Sequence, residues 1–153
     1  MKVELIMEKD VLEASPYFQS HIYTVDKSEW VSDIDKACDI HIERAKGAKE
    51  EYLKQRREAW GEDLWEKKGD FGLVYHSDSR LLKDPQLNHF VEYCGTTACQ
   101  ILDSQGFNIT DYTPFFTSMW VQEFPKSGGG FHNTHIHEND HISGFYYLRC
   151  SEK

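Results

Sequence analysis

The stretch that decides the fold runs from Phe115 to Arg149: FFTSMWVQEF over 115–124, a KSGGG turn over 126–130, then FHNTHIHENDH over 131–141 and ISGFYYLR over 142–149. Aromatic and β-branched residues dominate its apolar runs, and glycine or polar clusters separate them, which is how strands punctuated by turns read. Phe115–Phe124, Phe131–Ile136 and Ile142–Arg149 are therefore expected strands, preceded by a shorter one over Asn108–Thr113 that stops at Pro114. Upstream the pattern is helical. Asp84 suits an N-cap and Pro85 a first helical turn. Leu87, Phe90, Val91, Cys94, Ala98, Ile101 and Leu102 then fall on one stripe, and Gly106 suits a left-handed cap. The highly charged segment Asp33–Lys68 carries Ile34, Cys38, Ile42, Ala45, Tyr52 and Leu53 at helical spacing in part, interrupted by Gly47. Short apolar runs at Val3–Met7 and Tyr17–Val25 read as edge strands. The order of strands, helices and strands gives an α+β class rather than alternating βαβ units.

Composition bounds the function. The chain has 153 residues, 17 Lys and Arg against 26 Asp and Glu, and a formal net charge of −9, so a nucleic-acid backbone is an unsuitable partner. No apolar run reaches the roughly 20 residues of a membrane span. The N-terminal MKVELIME mixes acids into its apolar residues, unlike a signal peptide. Cys38, Cys94, Cys99 and Cys150 show no CxxC spacing and read as reduced thiols of a cytoplasmic protein. The length fits a single domain over 1–153, with strands and helices in 1–106 and the histidine-bearing strands in 107–153.

Four of the eight histidines lie between His132 and His141. His135 and His137 are two apart, so on an extended strand both imidazoles point to one face and can converge on one ion, while Ile136 points to apolar packing. His132, at odd spacing from His135, should face away. His141 lies too far along a continuing strand, but a turn over 138–140 would bring His141, Asp140 or Glu138 nearer, and these three are second-rank ligands. A metal-free polar loop would have the same composition. Elsewhere, Ser143-Gly144 lacks the surroundings of a nucleophile elbow, and Gly128–Gly130 lack the lysine and helix of a phosphate loop. His76-Ser77-Asp78-Ser79 reads as a turn, or else as a substrate-side loop.

Met119-Trp120, Asn133-Thr134-His135-Ile136-His137 and Ser143-Gly144-Phe145-Tyr146-Tyr147-Leu148 together resemble the 2-oxoglutarate/Fe(II)-dependent oxygenases of the phage and marine-bacterial type that carry a His-x-His … Ser-Gly-x-Tyr-Tyr-Leu signature. The resemblance extends over residues 16–150, with its specific part in the histidine and Ser-Gly-x-Tyr-Tyr region. It implies a double-stranded β-helix (a cupin-like jelly roll) holding Fe(II), with 2-oxoglutarate as co-substrate and a small-molecule or protein substrate to be hydroxylated. The wider superfamily places His-x-Asp or His-x-Glu where this chain has His-x-His, so the second ligand is His137 or a nearby acid. A third histidine and an oxoglutarate-binding Arg or Lys lie further downstream in that superfamily. This chain stops at Lys153, and Arg149, its only Arg after Arg80, is on the wrong strand for that role. The resemblance thus implies a C-terminally truncated, incomplete barrel with weak iron binding, little oxoglutarate turnover and an open sheet edge that a second copy could cover. A non-catalytic jelly-roll module that binds metal or a partner, and a divalent-metal hydrolase using His135, His137 and a carboxylate, are the alternatives.

Overall fold

A computed structural model describes residues 13–17 and 20–150, so the expected strand over Val3–Met7 lies outside the described residues. Chain order is β1 (Glu13–Tyr17), β2 (Ser20–Thr24), α1 (Val31–Gly47), α2 (Glu50–Trp60), α3 (Glu62–Lys68), β3 (Tyr75–His76), α4 (Asn88–Ser104) and β4 (Gln122–Glu123). The strands pair antiparallel as two separate two-stranded sheets, β1 with β2 and β3 with β4.

Helix α1 forms where the sequence puts one apolar stripe among charges. Ile34, Ala37, Cys38 and Ile42 fall at i, i+3, i+4 and i+8, one face of a helix, and are all buried. Arg44 and Lys46 in its last turn meet the negative end of the helix dipole. Helices α2 and α3 bury none of their described side chains, as their charge density foretells. Gly61, at φ 75°, separates them, and Arg57 spans the break with two hydrogen bonds to the Glu62 carboxylate, at 2.8 and 2.7 Å.

The expected helix after Asp84 is present with its caps. The Asp84 carboxylate accepts a hydrogen bond from the Gln86 N–H at 3.0 Å, and a 3-10 turn over Pro85–Leu87 leads into α4. At the other end Gly106 takes φ 89°, and the Phe107 N–H reaches back to the Leu102 carbonyl at 3.0 Å, closing a left-handed cap. Leu87 is 1% exposed and joins Ile34, Ala37, Cys38 and Leu81 in the core. Phe90 packs against that core, but the rest of the expected stripe is only half-buried. Where a full sheet was expected, Met119, Val121, Tyr146 and Leu148 of the C-terminal segment pack on that core, and Tyr146 meets Phe90 of the helix at 5.1 Å.

The expected C-terminal strands differ most from the structure. Of Phe115–Phe124 only Gln122–Glu123 pairs, with Tyr75–His76, extended by a bridge between Met119 and Arg80. Residues 108–113, 131–136 and 142–149 form no ladder among the described residues. A strand needs a partner for its backbone groups, and β composition supplies none. The period of two nevertheless survives in part. Tyr146 and Leu148 pack on the core, whereas Phe145 and Tyr147 are 79% and 76% exposed. The Tyr146 hydroxyl donates to the Lys27 carbonyl at 2.6 Å, and Arg149 binds Asp35, Asp39 and Glu123, fixing this end to α1 and β4. His76-Ser77, read as a turn, instead ends β3. The Ser77 N–H donates to the Val121 carbonyl, and the Val121 N–H donates to Ser77 Oγ at 3.1 Å.

Asp84 also accepts from His41 on α1, at 2.9 Å, with both side chains largely buried. His41 first, and the Gln86 N–H second, hold the Asp84 carboxyl below its ordinary value. A lowered folded-state value means that this contribution is full above the unfolded value of about 3.9 and is lost as pH falls through the folded one. Asp84→Ala should cost about 1–2 kcal/mol at pH 7, chiefly as a lost cap. In urea titrations the gap between wild type and variant should begin to narrow as pH falls below about 4 and go on narrowing through the lowered folded value; a gap that stays constant from pH 7 down to pH 2 would count against this linkage.

Candidate metal centre

The pairing of β3 with β4 brings His76 beside Trp120, whose rings stack 5.4 Å apart at 21°. The chain then turns through Gly128–Gly130 and lays the histidine segment over the same end. The other face of contact for Trp120 is His137, at 6.0 Å and 9°. His137 lies 5.0 Å from His135, His135 lies 5.2 Å from His132, and His132 lies 6.2 Å from His76. Four imidazoles and one indole thus close a ring of contacts. Beside it is an open groove of about 390 Å³ lined by Val74, His76, Phe131, His132, Asn133 and His135.

The expected pair, His135 and His137, is brought together. His135 Nδ1 is 2.9 Å from the Asn133 carbonyl, which accepts the Nδ1 proton and leaves Nε2 as the ring's lone-pair nitrogen. This is how metal-binding imidazoles are usually oriented. His137 Nδ1 is 3.5 Å from an Asp140 carboxylate oxygen, across a turn in which Asn139 takes φ 67°. Asp140 is therefore placed behind His137 as an orienting group. His141 is turned toward Phe107, with ring centres 6.2 Å apart, and lines a second groove with Asn139 and Asp140. Glu138 is exposed in the turn.

Two expectations about this segment are corrected. His132 does not face away from His135, because residues 131–136 are not a regular strand and odd spacing does not impose opposite faces there. Ile136 is 76% exposed instead of packed, for the same reason. His76 and Trp120 were not foreseen as neighbours of the histidines. Trp120 lay within the expected strand Phe115–Phe124, but nothing in the sequence announced that this segment pairs with Tyr75–His76.

The donor set fits a divalent ion in part. A bound imidazole nitrogen lies about 2.0–2.1 Å from the ion, so two rings at 90–110° have their centres roughly 4.5–5.2 Å apart. The His135–His137 separation falls within that range. Among the described residues no group of three His, Cys, Asp or Glu side chains stands ready to hold one ion. Buried Cys38 and half-buried Cys94 are not substitutes, since desolvation pushes each thiol up to about 11. Arg149 does not fit a role toward the far carboxylate of 2-oxoglutarate. Its guanidinium is occupied by Asp35 and Asp39, which together with Glu123 tie it to the α1 side.

All four cysteines are free. Among the described residues no helix is long and apolar enough to cross a membrane. Protein-family models, curated proteins and solved structures were compared with the chain, and none matches it.

Proposed function

We propose that this chain is a metal-binding domain of the 2-oxoglutarate/Fe(II) oxygenase type, with a jelly-roll ancestry in its C-terminal part and His135 and His137 as protein ligands to Fe(II). The observation that carries the reading is the approach of those two rings to 5.0 Å, with His135 Nδ1 engaged by a backbone carbonyl so that Nε2 is left for the ion. The Met119-Trp120, His-x-His and Ser-Gly-x-Tyr-Tyr-Leu resemblance supports the choice of iron, and the exposed rings of Phe145 and Tyr147 are in keeping with an apolar edge that further chain would cover. Iron bound in such a site, with 2-oxoglutarate and dioxygen, supplies oxidative attack on unreactive C–H bonds. The chain's own residues orient His135 through the Asn133 carbonyl, hold the Asp140 carboxylate 3.5 Å from His137 Nδ1, and wall one side with Trp120.

The test is anaerobic Fe(II) binding by the 153-residue chain, followed by oxoglutarate titration and decarboxylation. Wild type should bind about one Fe(II), and His137→Ala should weaken binding by more than about tenfold. Iron binding with oxoglutarate consumption supports the full reading. Iron binding without it reduces the reading to a non-catalytic metal module, and an unselective hydrolytic activity with zinc would replace it.

A further inference from the structure

We propose that Gly130 is a positioning residue: its close packing on Leu73 is the hinge pin of the groove beside the histidine pair and sets how far apart the groove's walls stand. The inference rests on the His135–His137 reading for what the groove leads to, and on packing alone for its geometry. One wall is Val74 and His76 of the β3 arm, and the other is Phe131, His132, Asn133 and His135. Leu73 and Gly130 immediately precede the first residue of each wall. A Cβ built on Gly130 would lie 2.7 Å from the Leu73 carbonyl oxygen, 2.8 Å from a Phe124 ring carbon and 2.9 Å from Pro125 Cδ. Real Cβ atoms essentially never come within 3.0 Å of a neighbour. Gly130 is not among the left-handed glycines, so the position requires the absence of a side chain and not freedom in φ. Two chain segments thus diverge from one contact point, and the groove opens between them.

The contact is fixed from behind. The Tyr75 hydroxyl donates to one oxygen of the Asp70 carboxylate at 3.1 Å, and Ser127 Oγ donates to the other. The Gly72 N–H donates to the Gly128 carbonyl at 2.9 Å. The Phe71 ring covers Gly129, where a Cβ would come within 2.5–2.7 Å of three ring carbons. The loop over 126–130, a plain turn by composition, is therefore bound along its length to the turn over 70–73. Two of the atoms that would meet a side chain at position 130 cannot retreat. The Leu73 carbonyl is backbone, and Pro125 is buried. A larger residue fits only if the chain at 130 moves off Leu73, which carries Phe131 and His132 away from the β3 wall. Residues 131–136 have no ladder hydrogen bonds, so no backbone pairing restores the spacing.

Proton NMR of the metal-free protein reads the wall spacing through the His76 and His132 rings, whose centres are 6.2 Å apart across the groove. The stack of His76 on Trp120, at 5.4 Å, reads the β3–β4 side alone. Wild type should show ring-proton NOEs for both pairs. Gly130→Ala should lose the His76–His132 NOE and keep the His76–Trp120 NOE. Gly128→Ala is the control. Gly128 takes φ 83° with nothing within 4 Å of a built Cβ, so its variant loses stability without a clash and keeps both NOEs. If Gly130→Ala does not fold, its combination with Phe124→Ala removes one of the three contacts, leaves the Leu73 carbonyl in place, and should give the same pattern. A Gly130→Ala protein that keeps both NOEs, or a Gly128→Ala protein that also loses the His76–His132 NOE, overturns the hinge. No metal is present in this measurement, so the ligand assignment is tested apart. A Co(II) titration without binding by wild type overturns that assignment, and the NOE pattern alone decides the hinge.

Discussion

Leu87→Ala should lower the unfolding free energy by about 3 kcal/mol, the largest stability loss expected from any single truncation in the described core. Leu87 is the one large side chain there with under 2% of its surface exposed. It stands where the Asp84-capped turn enters α4, and that turn packs on α1, so its side chain links the start of α4 to α1. Its neighbours Ile34, Ala37, Cys38 and Leu81 are buried on backbone of their own helices or turns, which limits how far they can collapse into the space. Deleting three methyl-equivalent carbons therefore adds a cavity to the lost transfer energy. Phe90→Ala is the useful contrast. From the helical stripe alone, Phe90 is a fully buried residue whose loss should cost about 3–5 kcal/mol. In the structure it is half-buried, 5.1 Å from the Tyr146 ring, and the loss should be nearer 2 kcal/mol. Urea denaturation of both variants, with the slope unchanged, reads the difference. A Leu87→Ala loss below about 1 kcal/mol would mean that α1 and α4 are not joined through this residue.

The contrast between those two residues shows what the sequence could disclose. A helix satisfies its own backbone, so α1 and α4 are marked by local features: the Ile34–Ile42 stripe, the Asp84 cap, Pro85 and the Gly106 terminator. All are legible one residue at a time. How deeply α4 is buried depends on what lies across from it, and there the β composition of 115–149 was a poor guide. FFTSMWVQEF reads as a ten-residue strand, yet only Gln122–Glu123 joins a two-residue ladder, because pairing is a property of two segments. The same limit applies to the site. The i, i+2 spacing of His135 and His137 made their convergence readable. The approach of His132 was hidden because the period-two rule holds only on regular strands. His76 and Trp120 were hidden because the β3–β4 pairing that carries them joins distant parts of the chain.

His135→Ala should abolish divalent-ion binding, with affinity down by more than about 100-fold, a larger loss than for either neighbouring histidine. His135 is one of the two proposed ligands, 5.0 Å from His137, so its removal leaves a single imidazole for the ion. It is also the ring whose tautomer is fixed by the Asn133 carbonyl, an orientation that neither neighbour can take over. Since His135 is exposed, the metal-free variant should unfold within about 0.5 kcal/mol of wild type, so lost binding cannot be blamed on lost folding. Asp140→Asn should weaken binding by about tenfold, as an orienting carboxylate would, and His141→Ala, whose ring is turned to Phe107, should leave it unchanged. Equilibrium dialysis against Co(II) across these variants measures the order directly. A His135→Ala protein that still takes up one ion, alongside a His141→Ala protein that does not, would place the centre in the groove formed by Asn139, Asp140 and His141 instead.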